Sequence, residues 1–344
     1  MIGKLSNQNQ GNLFSPLLKE FIDLKHELIL LAEKIKWKKF VNEFSPLYSK
    51  VGTKSKPIRM MVGLLFLKRI YNLSDERVCE AWIQNPYMQY FCGEAHFKWN
   101  QPCDPSDLVH FRHRIGEVGI EFLFSYSIGL HGERSRVKMV LSDTTVQENN
   151  VTFPTDAKLS KKVISKCNNI GKKHNIKQSQ TYTKISKNLL RDTYNYNHPK
   201  RHKKAKSSTK KLRVLAGRQL RELERKLPED ILKNYRQDID LYHRAITQQR
   251  TDKDKIYSLH KPFTTCIAKG KAGRPYEFGN KIGLVLNPKE LIVLAIKAFK
   301  GNPNDVTTIE PLLDQMKNNL NYLPEELIYD RGGRGRKEIK GVTI

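Results

Sequence analysis

The N-terminal third of the chain shows an apolar pattern with the period of an α-helix. Steps of three and four residues separate Leu17, Phe21, Leu24, Leu28, Leu31 and Ile35. This spacing places the side chains on one stripe of a helix. We therefore predict a helix here, packed against its own domain rather than in a dimeric coil, within a segment, 13–131, that is helical as a whole.

Three further helices are predicted in this segment. Arg59–Tyr71 is apolar on nearly every face, as in a buried helix, and Ser74 is a suitable N-cap for the helix that follows. A later helix opens at Pro105 and carries Arg112 and Arg114 in its last turns. These two arginines either contact DNA or complement the dipole of their own helix.

From Arg136 onward the pattern changes to short apolar runs typical of strands. Val137–Asp143 is one such run, Tyr276–Leu286 and Glu290–Phe299 form an antiparallel pair, and a helix leads on to the strand Leu327–Asp330. A long helical segment at about 157–255 interrupts this order. The order is compatible with a ribonuclease-H-like mixed sheet that carries a helical insertion and follows an all-α domain. We place the boundary between 1–132 and 133–344.

Charge points to a polyanionic partner. The chain has 62 Lys and Arg against 35 Asp and Glu, a formal net charge of +27. Between Lys158 and Arg218, nineteen basic residues face one acid, Asp192. Apolar residues persist there at helical spacing, so we predict a folded insertion with a DNA-facing surface that includes Lys161 and Lys162.

Other classes of protein fit the sequence poorly. No apolar stretch is long enough to span a membrane, and the first residues lack the apolar core of a secretion signal. Five scattered cysteines without a CxxC pair indicate reduced thiols in a cytoplasmic protein. A zinc site built from Cys92, His96, Cys103 and His110 does not match any standard spacing.

Asp143 and Asp330 are the candidate catalytic residues, because each closes an apolar strand. Carboxylates at the same edge of a sheet can hold Mg²⁺, which prefers oxygen ligands. Pairs of such ions support in-line phosphoryl transfer to a hydroxyl nucleophile. Aspartate is also a common turn former at strand ends, so the pattern alone leaves this assignment open.

The sequence around these aspartates resembles the IS-five-type transposases of bacterial insertion sequences. The similarity extends in order along the chain, through 56–64, 85–93, 102–112, 141–159, 266–271, 275–279, 301–303 and 330–332.

The resemblance implies a DDE transposase with a helical DNA-binding domain, a ribonuclease-H-like core and Mg²⁺ or Mn²⁺ as cofactor. Asp143 matches the family's first carboxylate and Asp330 its second. The implied partners are double-stranded DNA, as terminal inverted repeats and target, and a second copy of the chain. Three arginines that could hold phosphates follow Asp330 in a glycine-rich turn: Arg331, Arg334 and Arg336.

The pattern departs from the family at its third acid, a glutamate on a later helix. After Arg331 only 332–344 follow, and their one acid, Glu338, comes too early. We therefore expect a C-terminally truncated form that binds DNA but does not cleave it alone, with one sheet face exposed and low solubility.

Two alternatives remain. The chain could be a non-catalytic DNA-binding protein or repressor derived from a transposase. It could also bind RNA, which would leave the two aspartate strands unexplained.

Overall fold

The computed structural model describes residues 1–3, 5, 16–194, 196–271, 273–330 and 336–344. The chain folds as two compact units, Met1–Arg136 and Val137–Ile344. Of the described helices, none combines the length and hydrophobicity that crossing a lipid bilayer requires.

The described elements of the first unit are helices, apart from two isolated β-bridges. The α-helices are α1 (Leu18–Phe21), α2 (Glu27–Lys34), α3 (Trp37–Phe44), α4 (Ile58–Ile70), α5 (Asp75–Gln84), α6 (Pro86–Phe91) and α7 (Pro105–Gly129). Short 3₁₀ helices follow α3 and α7, at Ser45–Leu47 and Gly132–Ser135.

Helix α4 is the centre of this unit, as its apolar sequence predicts. Eight of its thirteen residues are buried, and they pack against Phe40, Phe44, Trp82 and Phe111 in one core. The Ser74 hydroxyl caps α5 by accepting a hydrogen bond from the Arg77 amide at 3.1 Å, which confirms the predicted N-cap.

The prediction of one helix through 17–35 is wrong. Helix α1 ends at Phe21 because Ile22 is extended, and α2 starts only at Glu27. Leu24 is half exposed, whereas Leu18 and Ile29 are fully buried in a small separate cluster. The apolar spacing was compatible with one continuous stripe, but two short helices bury Leu18 and Ile29 against α6.

The second unit combines a mixed sheet with five helices in the described residues. Its strands are β1 (Met139–Glu148), β2 (Thr265–Lys271), β3 (Arg274–Leu286), β4 (Val293–Phe299), β5 (Glu326–Tyr329), β6 (Glu338–Ile339) and β7 (Val342–Thr343). Its helices are α8 (Asp156–Lys173), α9 (Thr183–Thr193), α10 (His202–Lys226), α11 (Glu229–Thr247) and α12 (Val306–Leu320).

The strand order is β2-β3-β1-β5-β7-β6, with β4 also paired to β3. β1 is antiparallel to β3 and parallel to β5, and α12 lies on the connection from β4 to β5. The protein is therefore mixed α/β, and β1 lies inside its sheet. Strand β2 is an element that the sequence patterns did not predict.

Helices α8 to α11 form the insertion between β1 and β2. They share a core of their own, which includes Val163, Leu212, Leu220, Leu223 and Ile239. The basic segment is thus a helical body, because its sparse apolar residues recur at helical spacing and meet in one cluster.

Candidate functional site

Sheet pairing brings the two candidate catalytic aspartates to neighbouring positions. The parallel register pairs Leu141 with Ile328 and Ser142 with Tyr329. Asp143 and Asp330 are the next residues after this last pair, and Asp330 directly follows β5. Neighbouring strands lie about 4.8 Å apart, so two residues far apart in sequence become lateral neighbours.

Asp143 does not close its strand, contrary to the sequence prediction. β1 continues to Glu148 because β3 pairs with it along this length, down to Gly279. The parallel partner β5 is the strand that ends here. Asp143 therefore lies at the point where β1 is no longer paired with β5. Its Oδ1 accepts a hydrogen bond from the Thr144 amide at 2.7 Å.

The two faces of the sheet differ at this point. Gly283, the partner of Thr144, lies against Leu312 of α12, and Tyr329 is beside Thr308 of the same helix. Side chains alternate along a strand, so Asp143 lies on the opposite face, and Asp330 follows the end of β5. Both residues are exposed.

Apolar side chains surround the aspartates on this face. In register order they are Leu141, Leu284 and Ile328, with Ile296 beyond Leu284. Ile328 is 49% exposed and Ile296 is 40% exposed. The face beside the carboxylates is therefore apolar and open to solvent in the described part of the chain.

A partly buried ion pair supports β1 from the other face. Lys281 is nearly buried, pairs with Asp305 and donates to the Pro303 carbonyl at 2.9 Å. Thr144 Oγ1 donates to Asp305 Oδ1 at 2.9 Å. Burial raises the pKa of the Asp305 carboxyl, but Lys281 and Thr144 outweigh it, so this pKa lies below its usual value. The network joins the residue after Asp143 to the start of α12.

Sequence reasoning missed this network. The available signal was a lysine within the apolar run Tyr276–Leu286, since a charge inside a strand usually requires a buried partner. Nothing in the sequence identified Asp305 as that partner.

No third carboxylate joins Asp143 and Asp330 among the described residues. Glu338 pairs with Thr343, which pairs with Glu326 at the opposite end of β5 from Asp330. Four residues of strand correspond to roughly 13 Å, and two strand spacings add to this. Within the described ranges, no group of three or more histidine, cysteine or acidic side chains could hold a metal ion. The carboxylate pair offers the oxygen ligands that Mg²⁺ prefers, but only two of them.

The predicted DNA-binding arginines of the first unit both have intramolecular contacts. Arg112 forms two hydrogen bonds to Asp75, at 2.8 and 2.7 Å, and Lys68 bonds the same carboxylate at 2.8 Å. The bond to Arg112 lowers the pKa of Asp75 to about 2. The Arg114 guanidinium lies 4.3 Å from the centre of the Tyr48 ring and stays exposed. Of the two, Arg114 is the one available to a ligand.

Arg112 and Arg114 lie near a helix end because α7 is interrupted just after them. The chain is non-helical at Gly116, with φ 60°, so two helical segments meet there. Asp104 caps the first segment by accepting from the Ser106 amide at 2.8 Å. Arg112 and Arg114 are in the last turn of this first segment, as the sequence pattern predicts.

The two lysines of the insertion that are predicted to face DNA, Lys161 and Lys162, lie on α8. Lys162 donates to the Thr152 hydroxyl at 3.2 Å, and Lys161 borders a cleft between α8 and α9. Arg336 is exposed after Asp330, whereas Arg331 and Arg334 lie outside the described residues. The predicted basic residues therefore fall on separate elements.

Two comparisons identify the class of protein. Residues 16–114 match a family model described as a transposase domain, DUF772, which covers α1 to α6 and the first segment of α7. An uncharacterized protein, ORF8 in the nfe locus of Rhizobium meliloti, is 36% identical over 197 residues. The match covers 56% of this chain and 95% of that protein.

The chain is therefore a transposase-family protein and belongs to the same family as ORF8 of the nfe locus. No solved structure matches it.

Proposed function

We propose that this protein is a DDE-type insertion-sequence transposase of the IS-five type with a ribonuclease-H-like core. One observation supports the proposal: the parallel pairing of β1 and β5 ends at Ser142 and Tyr329, so Asp143 and Asp330 are the next residues on two adjacent strands, and both are exposed. Strand β1 lies between antiparallel β3 and parallel β5, and helix α12 precedes β5. This arrangement supports a ribonuclease-H-like core.

Each part of the chain has a role in this proposal. Asp143 and Asp330 would hold Mg²⁺ or Mn²⁺, which activates a hydroxyl nucleophile and stabilises the leaving oxygen when bound. The exposed arginines Arg114 and Arg336, together with Lys161 and Lys162, would position the phosphates of the terminal repeats and the target. A second copy of the chain would bind the other transposon end.

The 344-residue chain is expected to bind DNA without cleaving it at a useful rate. Two carboxylates leave each ion short of protein ligands and of geometric restraint. The absence of a third acid near Asp143 among the described residues also favours a second candidate, a non-catalytic DNA-binding protein or repressor derived from a transposase.

The carboxylate pair is tested by titrating Mn²⁺ into the purified chain. We expect weak binding that is lost in Asp143→Asn and in Asp330→Asn. The matched control is Glu338→Gln, since this acid lies two strands away, level with the start of β5, and should leave binding unchanged. Equal Mn²⁺ affinity in all four proteins would contradict the site.

Assays with terminal repeats separate the two candidates. Mg²⁺-dependent strand transfer that Asp143→Ala abolishes would show that the chain alone is active, against our expectation. Competition with an intact transposase for the repeats, without cleavage under any condition, would favour the repressor.

A further inference from the structure

A cleft between α8 and α9 in the insertion has the chemistry of a phosphate-binding site. Its volume is about 430 Å³, and its lining residues include three cations and no acid. Lys161 lies on one side, and Lys187 and Arg191 lie on the other. Ile164 and Leu190 supply apolar surface, and Tyr194, 68% exposed, stands at the end of α9.

The charge of this cleft is not neutralised by its surroundings. Asp192 follows Arg191 but pairs with Lys204 of α10 at 2.9 Å and accepts from the Ser208 hydroxyl. Arg191 donates to the neutral amide of Asn188 at 2.9 Å. In the part of the chain that the structure describes, no carboxylate forms an ion pair with a cation of the cleft. Three cations around one concave surface, without an ion-pair partner among the described residues, favour an anionic ligand.

The geometry favours a chain of phosphates over a single small anion. Lys187 and Arg191 are four residues apart on α9, which places their Cβ atoms about 6 Å from each other along one helix face. Lys161 lies opposite them on α8. Asn168, also in the lining, is fixed in place, because it donates to the Thr181 carbonyl and accepts from Gln219, both at 2.8 Å.

We propose that the α8–α9 cleft binds the sugar–phosphate backbone of a DNA strand, with Lys161, Lys187 and Arg191 on its phosphates. This inference rests on the proposed function, and it adds Lys187 and Arg191 as binding residues. The cleft holds the DNA without reading its sequence, since phosphates are the same at every step.

The test compares K187Q/R191Q with a charge-matched control, K206Q/K210Q. The control residues are exposed on α10, have the same spacing and lie outside the cleft. Affinity for a mixed-sequence duplex is measured against salt concentration with chelator present. Each phosphate contact contributes about 0.9 to the slope of log affinity against log salt. K187Q/R191Q should lower this slope by about 1.8, and the control should change it much less.

Two further measurements make the result decisive. The charge-preserving variant K187R/R191K should keep the wild-type slope. Binding of inorganic tripolyphosphate tests the cleft even if the chain binds no DNA. The proposal that the cleft binds phosphates would be overturned by an unchanged slope and tripolyphosphate affinity in K187Q/R191Q. Equal losses in the control would also overturn it. Asp143-dependent Mn²⁺ binding would then still support the proposed function.

Discussion

Asp75 shows how one side chain can organise the first unit. Its carboxylate lies in the first turn of α5 and accepts hydrogen bonds from Arg112 of α7 and Lys68 of α4. Arg112 presents a planar pair of N–H groups that matches a carboxylate at both oxygens. Asp75 therefore joins three helices of the transposase domain, and Arg112 stabilises the fold through this contact.

Replacing Asp75 should destabilise the first unit. Asp75→Asn leaves Arg112 half-buried without its charged partner, and we expect a loss of about 2 kcal/mol in the free energy of unfolding. Urea unfolding at neutral pH measures it. The control is Glu80→Gln, whose partner Arg77 is largely exposed and whose loss should cost little.

The stability that Asp75 provides should also depend on pH. Its pKa is about 2 in the folded protein against an ordinary value of 3.8, mainly because of Arg112. A carboxyl with a lowered folded pKa stabilises fully above its unfolded pKa and loses this contribution as pH falls to the folded value. The stability difference between wild type and Asp75→Asn should therefore shrink between about pH 4 and pH 2. A constant difference across this range would contradict the ion pair.

At the scale of elements, β1 depends on close approach by β3. Gly279 lies opposite Glu148, and a Cβ at this position would come within 2.0 Å of the Gln147 carbonyl oxygen. A backbone atom cannot move aside as a flexible side chain does. The glycine therefore permits the antiparallel pairing that extends β1 beyond Asp143.

Gly279→Ala should weaken this pairing and destabilise the second unit by more than about 1 kcal/mol. Hydrogen exchange of the β1 amides from Thr145 to Glu148 should accelerate, which locates the effect. Gly129→Ala is the control, since no atom within 4 Å would meet its Cβ and alanine favours a helix. Equal stability of the two variants would show that the strands can separate at little cost.

For the whole molecule, charge and apolar surface act in opposite directions. The net charge of +27 keeps copies of the chain apart, whereas the open sheet face near Asp143 favours association. Salt screens the repulsion and leaves the apolar attraction.

Rising salt should therefore promote self-association through that face. I296T/I328T should reduce it in sedimentation velocity experiments, because both isoleucines lie on the open face. Val51→Thr changes a more exposed apolar side chain, 78% accessible, in the first unit and should have little effect. If all three proteins associate equally, another surface is responsible.

The basic insertion should bind DNA without regard to sequence. K161Q/K162Q is expected to weaken binding to terminal repeats and to unrelated duplexes by the same factor, because phosphate contacts carry no sequence information. Competition assays with both duplexes measure the ratio. A selective loss for the repeats would show that these lysines read bases, and no loss would exclude α8 from the interface.

Several elements could be predicted from sequence because the information is local. An apolar run on every face defines α4, a serine before two acids defines the start of α5, and Pro105 after Asp104 opens α7. The continuous helix through 17–35 failed, because apolar spacing does not report a break of four or five residues. Strand β2 was missed for a related reason: its sequence, TCIAKGK, carries little apolar periodicity.

The sequence by itself determined the class of the protein, its basic insertion and the two aspartates, because residue types and their spacing are properties of the chain. Only the tertiary structure decided that Asp143 and Asp330 follow the last paired residues of two adjacent parallel strands, that Glu338 pairs through β7 with the start of β5, and that Arg112 is bound to Asp75. These depend on strand register and helix packing between residues distant along the chain, which local patterns do not encode.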